Sequence, residues 1–428
     1  MSTSWLLAAL LLVAQGAETP EAPDKAALER TVIGLARELD APERAKRDAA
    51  EQKLLELGAP ALEVLPPSSA RSSAELKQRL DRVRAVLEMA RAEAFAQASH
   101  VTLAGEHKLS EILAALEKQT GNRVYDYREQ FGQDATDPTL KVAFDKTPFW
   151  AAIDQLLDDA GLTLYAYADQ PGLAVVNRGG AQLQRAKRAF YSGAFRFEPV
   201  EFASRRDLRN PENASLSLSL EISWEPRLVP LAIKQPLDDV EAVDDQGNKL
   251  AVSTAEGELE APLDRGAVAV ELPIPFALPP RSAAKIAKFT GTLTALVPGG
   301  LEKFTFTDLE KARNVEQRKA GVAVTLEHVR KNNQVWEARV RLRFDNRTGA
   351  LESHRNWLAS AQIYLVGADG KQIVPDASET TVSNEEELGM AFLFDRPQGV
   401  AGLSLVYQAP AVILTLPVEY ELKDLELP

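Results

Sequence analysis

The sequence predicts a multi-domain α+β protein: a helical segment, a small βαβ-βαββ module and two tandem antiparallel β-sandwiches. Three observations predict it. Apolar residues follow a helical period from Ala26 to about Ser99, alternate between strand and helix patterns from Val101 to Asn177, and repeat every second position beyond Ala189. The chain has 428 residues, enough for several domains, and its 45% apolar and 26% charged residues are ordinary for a soluble globular protein. A formal charge of −13 argues against nucleic acid or an anionic membrane surface as the main partner. The absence of cysteine excludes disulfides, thiolate metal sites and a lipid-anchored Cys.

Residues 1–17 read as a signal peptide. Trp5 to Val13 is a leucine-rich run too short to span a bilayer, and Ala14-Gln15-Gly16-Ala17 supplies small residues at cleavage-site spacing. The first residues carry no Lys or Arg, a departure from the usual leader. The mature chain is therefore expected to be exported, periplasmic or extracellular, with no membrane span, since no later stretch reaches transmembrane length.

Residues 18–99 read as a helical scaffold segment. Pro20 and Pro23 mark a spacer, and Leu28, Val32, Leu35 and Leu39 form one stripe. Asp40 with Glu43 and Ser72 with Glu75 have capping-box spacing, while Gly58 and Pro66-Pro67 are stops. These amphipathic helices cannot bury their faces alone, and they resemble a fragment of a HEAT-like helical pair. A helical hairpin packed on the next module is the other reading.

Residues 100–178 carry the clearest pattern. Val101-Thr102-Leu103 is a short strand, and Leu109, Ile112, Leu113 and Leu116 line one face of a helix stopped at Gly121. Asn122 to Tyr127 is a second strand, and Leu140, Val142 and Phe144 alternate as a third. Thr147 and Pro148 are placed to open a helix whose buried face is Phe149, Ile153, Leu156 and Leu157, ended by Gly161. Thr163–Tyr167 and Leu173–Asn177 form a hairpin across Asp169-Gln170-Pro171-Gly172. The stretches LSEILAALEKQTGNRV and LKVAFDKTPFWAAIDQLLDDAGLTLYAYADQPGLAVV resemble the secretin and TonB short N-terminal domain. The resemblance rests on Leu113, Leu116 and Gly121, then Val142, Ala152, Leu156, Leu157, Gly161 and Leu162. It implies a protein-docking module of the bacterial envelope. This chain has no outer-membrane barrel sequence of the kind that accompanies that domain, so only the docking role carries over.

A basic linker containing Arg178, Arg185, Lys187 and Arg188 separates this module from the β half. Residues 189–312 and 313–428 read as the two sandwiches. Leu216, Leu218, Leu220, Ile222 and Trp224 alternate with polar residues, as do Trp336, Ala338, Val340, Leu342 and Phe344. DVEAVDDQGNKLAV parallels QIYLVGADGKQIV, and TALVPGGLEKFTFTDLEK parallels LTLPVEYELKDLEL. A tandem duplication of about 110 residues, in the immunoglobulin-like size class, accounts for this. The segments ESHRNWLASAQIYL and LVYQAPAVILTLPVEYELKDLELP are similar to exported bacterial proteins with no assigned role.

No catalytic constellation appears: no GxSxG elbow, phosphate loop, GxGxxG or HExxH. His100, His107, His328 and His354 lack metal-pair spacing. Asp238, Asp239, Asp244 and Asp245, with Asp134 and Asp137, form acidic turns, but Gly247 does not stand where a calcium loop places its glycine. Glu385-Glu386-Glu387 reads as solvated, and the sequons at Asn213 and Asn346 carry little weight in a bacterial-type chain. No catalytic, cofactor-binding or metal-ligating residue is therefore assigned. The expected function is a non-catalytic binding or scaffold role in the envelope through protein–protein contacts. Trp150, Leu173, Val175 and Trp357 are the candidate contact residues, with strand addition along Leu173–Asn177 as one mode. The alternatives are carbohydrate binding or processing, with polysaccharide as partner, and service as an accessory to a secretin or outer-membrane transporter.

Overall fold

The computed structural model describes residues 25–67, 72–165, 168, 170–179, 189–253, 257–263, 266–333, 335–344, 362–384 and 386–428. The predicted leader, most of the basic linker, the second sequon and Trp357 lie outside these residues. The chain divides into two units after Leu87.

In the first unit, α1 (Lys25–Glu38), α2 (Arg44–Glu56) and the start of α3 (Ala74–Ala96) bury Val32, Leu39, Leu54, Leu80 and Val83 against one another. The predicted caps are displaced. Asp40 accepts a hydrogen bond from Ser73 Oγ (2.6 Å) and does not cap α2, which starts after Glu43 without a side-chain cap. The cap of α3 is Ser73, whose Oγ accepts the Leu76 N–H; Glu75 instead pairs with Arg47 and Arg79. Arg79, nearly enclosed, ties α3 to α2 through Asp48 and Glu51.

The second unit begins with the last turns of α3 and contains everything after them. Its α+β module matches the predicted element order. Strands β1 (His100–Lys108) and β3 (Thr139–Pro148) pair antiparallel. A second sheet has the order β2 (Val124–Asp126), β5 (Leu173–Asn177), β4 (Leu162–Tyr165). Helices α4 (Leu109–Thr120) and α5 (Phe149–Ala160) bury Ile112, Leu116, Ile153 and Leu156 in the module core. Both end at glycines in the left-handed conformation, Gly121 (φ 72°) and Gly161 (φ 67°), as their positions in the sequence required. Thr147 does not cap α5; it stays in the ladder opposite Val101.

The β half is two sandwiches built on one plan. The first has an outer sheet in the order β13 (Ala269–Ala277), β8 (Ala214–Trp224), β7 (Phe195–Arg206), β6 (Phe190–Ser192). The second has β21 (Glu387–Asp395), β17 (Val335–Phe344), β16 (Val322–Asn332), β15 (Arg313–Lys319) in the corresponding places, with β20 (Ala377–Ser383) added beside β21. The hairpin of β10 (Glu241–Asp244) and β11 (Lys249–Leu250) matches that of β18 (Gln362–Val366) and β19 (Gln372–Ile373), each beside a long final strand. The outer sheets of both halves thus follow equal strand order.

The boundary expected at residue 312 holds for the outer sheets only. The long strands β14 (Lys285–Phe306) and β22 (Ser404–Glu426) pair along their whole length, from Lys285↔Glu426 to Phe306↔Leu405, and run through both sandwiches. Val418, Tyr420 and Leu422 therefore fill the first core, while Phe304 and Phe306 fill the second. Two-residue alternation says which side chains face inward and cannot say against which half they pack, so the exchange was invisible in sequence.

Candidate binding cleft of the larger unit

Two buried polar networks fasten the module to the first sandwich. In one, Arg196 on β7 is almost wholly enclosed and bonds Asp154 of α5 (3.2 Å), Glu198 and, as an ion pair, Glu221 (3.5 Å). Tyr191 donates to the same Asp154 carboxylate. Burial opposes the charge on Arg196, but Asp154 and Glu198 outweigh it and hold the guanidinium more firmly protonated. Burial pushes the Glu221 carboxyl above its ordinary value. In the other network the buried Glu225 accepts from Ser99 N (2.8 Å), Ser99 Oγ (2.6 Å), Asn122 Nδ2 (2.8 Å) and Arg227 Nε (2.7 Å). Arg227 also donates to the carbonyls of Phe95 and Gln97 at the end of α3 and stacks over the Phe95 ring, 4.8 Å from its centroid.

This second network builds the wall of a cleft of about 460 Å³, the size of a small-ligand site. The loop after β8, Pro226 to Pro230, closes one side, and the Pro171-Gly172 turn and the middle of β14 close the others. Trp224 forms part of the lining; it is 1% exposed, and its indole N–H is enclosed without a described hydrogen-bond partner. At the rim stand Phe95 (39% exposed), Val229 (51%) and Leu301 (53%), large apolar side chains left in contact with solvent. Arg227 is the one charged lining residue among those described, and it is already paired. Among the described lining residues none carries a carboxylate, imidazole, hydroxyl or amine, and the apolar side chains that predominate there suit an apolar group.

The glycines of Pro298-Gly299-Gly300 make close packing possible here. A Cβ on Gly299 would stand 2.1 Å from Ala92 Cβ, so only glycine lets α3 lie against the strand. At Gly300 a Cβ would point into open space.

The contact residues expected from sequence stand elsewhere. Trp150 is 1% exposed: it packs edge-on against Phe149 and donates its indole N–H to Ala194 O (3.0 Å). Both aromatics belong to the module's buried cluster, and the Trp150 indole in addition reaches the first sandwich at Ala194. Leu173 and Val175 are also buried, and β5 is the central strand between β2 and β4, so no strand can be added along it. Trp357 lies outside the described residues.

The acidic turns have structural duties. Asp244 accepts from Gln246 N, Asn248 N and Asn248 Nδ2, Asp245 from Ala284 N, and Asp137 from Ser110 N and Oγ. Among the described residues no group of His, Asp and Glu is arranged to hold a metal ion. Sequence reasoning missed Phe95, Val229 and Leu301. The only signal was the Pro226–Pro230 loop, where Leu228 and Val229 sit between prolines in a segment too short to bury both.

No family model matches the chain, and comparison with curated proteins and with solved structures likewise returns no match.

Proposed function

We propose that this chain is an exported, non-catalytic binding protein of the bacterial envelope, and that the cleft receives an apolar side chain presented by a protein partner. The observation that carries this reading is the cleft and its rim: an apolar concavity bordered by Phe95, Val229 and Leu301, with the one cation among its described lining residues internally satisfied. Exposed apolar side chains around a concave centre are the arrangement in which protein interfaces concentrate their binding energy. Export rests on the leader-like residues 1–17, and the docking role of the module rests on its resemblance to the secretin and TonB short N-terminal domain.

The test uses a photo-crosslinking residue at Leu301 in the full chain, with Leu208, exposed and away from the cleft lining, as control. A partner captured at Leu301, lost when Gly300→Trp fills the cleft and absent from Leu208, supports the reading. Capture that ignores Gly300→Trp sinks it.

The carbohydrate reading has one observation in its favour. Tyr125, Tyr127, Phe131 and Tyr165 cluster beside the three-stranded sheet, with Phe131 exposed. Tyr127 and Tyr165 stack on each other at 6.0 Å, which uses ring faces a sugar would need. Glycan-fragment binding abolished by Phe131→Ala would favour it over the protein partner.

A further inference from the structure

The β1–β3 ribbon has one sealed edge and one open edge. Leu109 N donates to Pro138 O (2.9 Å), which extends the ladder beyond Lys108↔Thr139. Counting back by twos, His107↔Leu140, Gly105↔Val142 and Leu103↔Phe144 are the hydrogen-bonded pairs. Ala104 and Glu106 on β1, and Lys141 and Ala143 on β3, therefore turn their backbone N–H and C=O outward. On β1 that edge is occupied by the chain's own side chains. Gln119 bonds both Thr102 N (2.9 Å) and Thr102 O (3.1 Å), the His107 ring reaches Ala104 O (3.2 Å), and Glu111 accepts Lys108 N–H (3.1 Å). On β3 no described strand lies alongside, and Lys141, Ala143 and Asp145 are exposed. The edge ends at a bulge around Lys146, which has a left-handed backbone (φ 47°).

We propose that β3 pairs antiparallel with β3 of a second copy of this chain, about a two-fold axis through Ala143. Register and charge select this occupant. Centred on Ala143, the pairing sets Lys141 of each copy opposite Asp145 of the other, and the small Ala143 opposite itself. Val142 of each copy, buried under the helices, comes to lie directly opposite Phe144 of the other, and the two continue one apolar face. Centring the axis on Lys141 would instead oppose two lysines. Lys141 and Lys146 also discourage an arbitrary strand from docking, the usual use of lysine on an edge, whereas self-pairing gives Lys141 a carboxylate. A two-stranded ribbon is marginal alone, and the pairing makes a continuous four-stranded sheet.

Sedimentation of the full chain over a concentration series at physiological salt tests this; at low salt the charge of −13 drives copies apart. Lys141→Asp or Asp145→Lys alone reverses two symmetric pairs and should weaken dimerisation by roughly tenfold or more. The double swap should restore it. Ala143→Pro costs no bond within the chain, because that N–H points outward, and should abolish the dimer. Since the protein has no cysteine, Ala143→Cys should yield a single intermolecular disulfide under mild oxidation. A monomer at every concentration overturns the proposal, as does a dimer indifferent to both charge swaps and to Ala143→Pro.

Discussion

The two sandwiches share a strand plan and bury opposite charges. In the first, one arginine, Arg196, sits among Asp154, Glu198 and Glu221, with Glu271 paired across the ladder from Glu221. In the second, one carboxylate, Glu337, sits between two arginines, Arg339 Nε at 2.6 Å and Arg330 Nη2 at 3.2 Å, with the His328 ring Nε2 at 3.7 Å. Burial alone would raise the Glu337 carboxyl, but hydrogen bonds from Arg339 and Arg330 hold it below its ordinary value, the reverse of Glu221. The difference follows from what covers each outer sheet. The first is roofed by the α+β module, whose Asp154 makes a buried arginine tolerable; in the second, Arg330 and Arg339 reach solvent and keep Glu337 cheaply paired. The same strand plan thus carries opposite buried charges where only one of the two outer sheets has the module against it.

The largest test of the shared plan is truncation. Removing residues 413–428 takes Val418, Tyr420, Leu422 and Leu425 from the first core, although they are last in sequence. At about 1.5–3 kcal/mol for each buried apolar side chain, the loss is comparable to the ~5–15 kcal/mol that holds a domain together. The first sandwich should lose its cooperative unfolding transition while residues of the second outer sheet keep amide-exchange protection. Loss of protection in the second sheet alone would break the shared-strand account.

Arg196→Met should cost roughly 3–5 kcal/mol by denaturant unfolding, because it strands buried carboxylates, whereas Glu337→Gln should cost about 1 kcal/mol, because its cations can turn to water. Equal costs would erase the contrast. Gly299→Ala should cost about 1–3 kcal/mol by forcing α3 off β14, with Gly300→Ala near neutral at the adjacent position.

The smallest effect is in pH dependence. Glu221 has a folded pKa above its ordinary 4.5, so its penalty is full above the folded value and vanishes as pH falls toward 4.5. Glu221→Gln should therefore be more stable than wild type at neutral pH, the advantage shrinking on acidification. Glu337 lies below 4.5; its contribution is present above 4.5 and lost as pH falls through the folded value. Urea midpoints across pH check both signs, and a Glu221→Gln variant less stable at neutral pH would contradict the first.

Local chemistry made much of this architecture legible. Gly121 and Gly161 stop their helices, Val142 and Phe144 face inward, and the two glycine-turn hairpins, β10–β11 and β18–β19, stand in matching places. Capping was read one residue off at Ser73, because neighbouring serines offer the same oxygen and only the backbone path chooses between them. Trp150 shows the limit more sharply: the sequence expects one of two adjacent aromatics to face outward, yet both are buried, and Trp150 also bonds the first sandwich at Ala194.

Periodicity and turn residues by themselves determined the order of elements, the inward faces and the matching hairpins of the two β halves, since these depend on contacts within a strand or one turn. Only the tertiary structure decided that β14 and β22 are shared, that β5 is central and that the cleft lies between Phe95, Trp224 and Leu301. Those outcomes turn on which apolar face meets which, and the hydrophobic effect that joins them is non-directional, so the pattern that buries a residue does not name its partner.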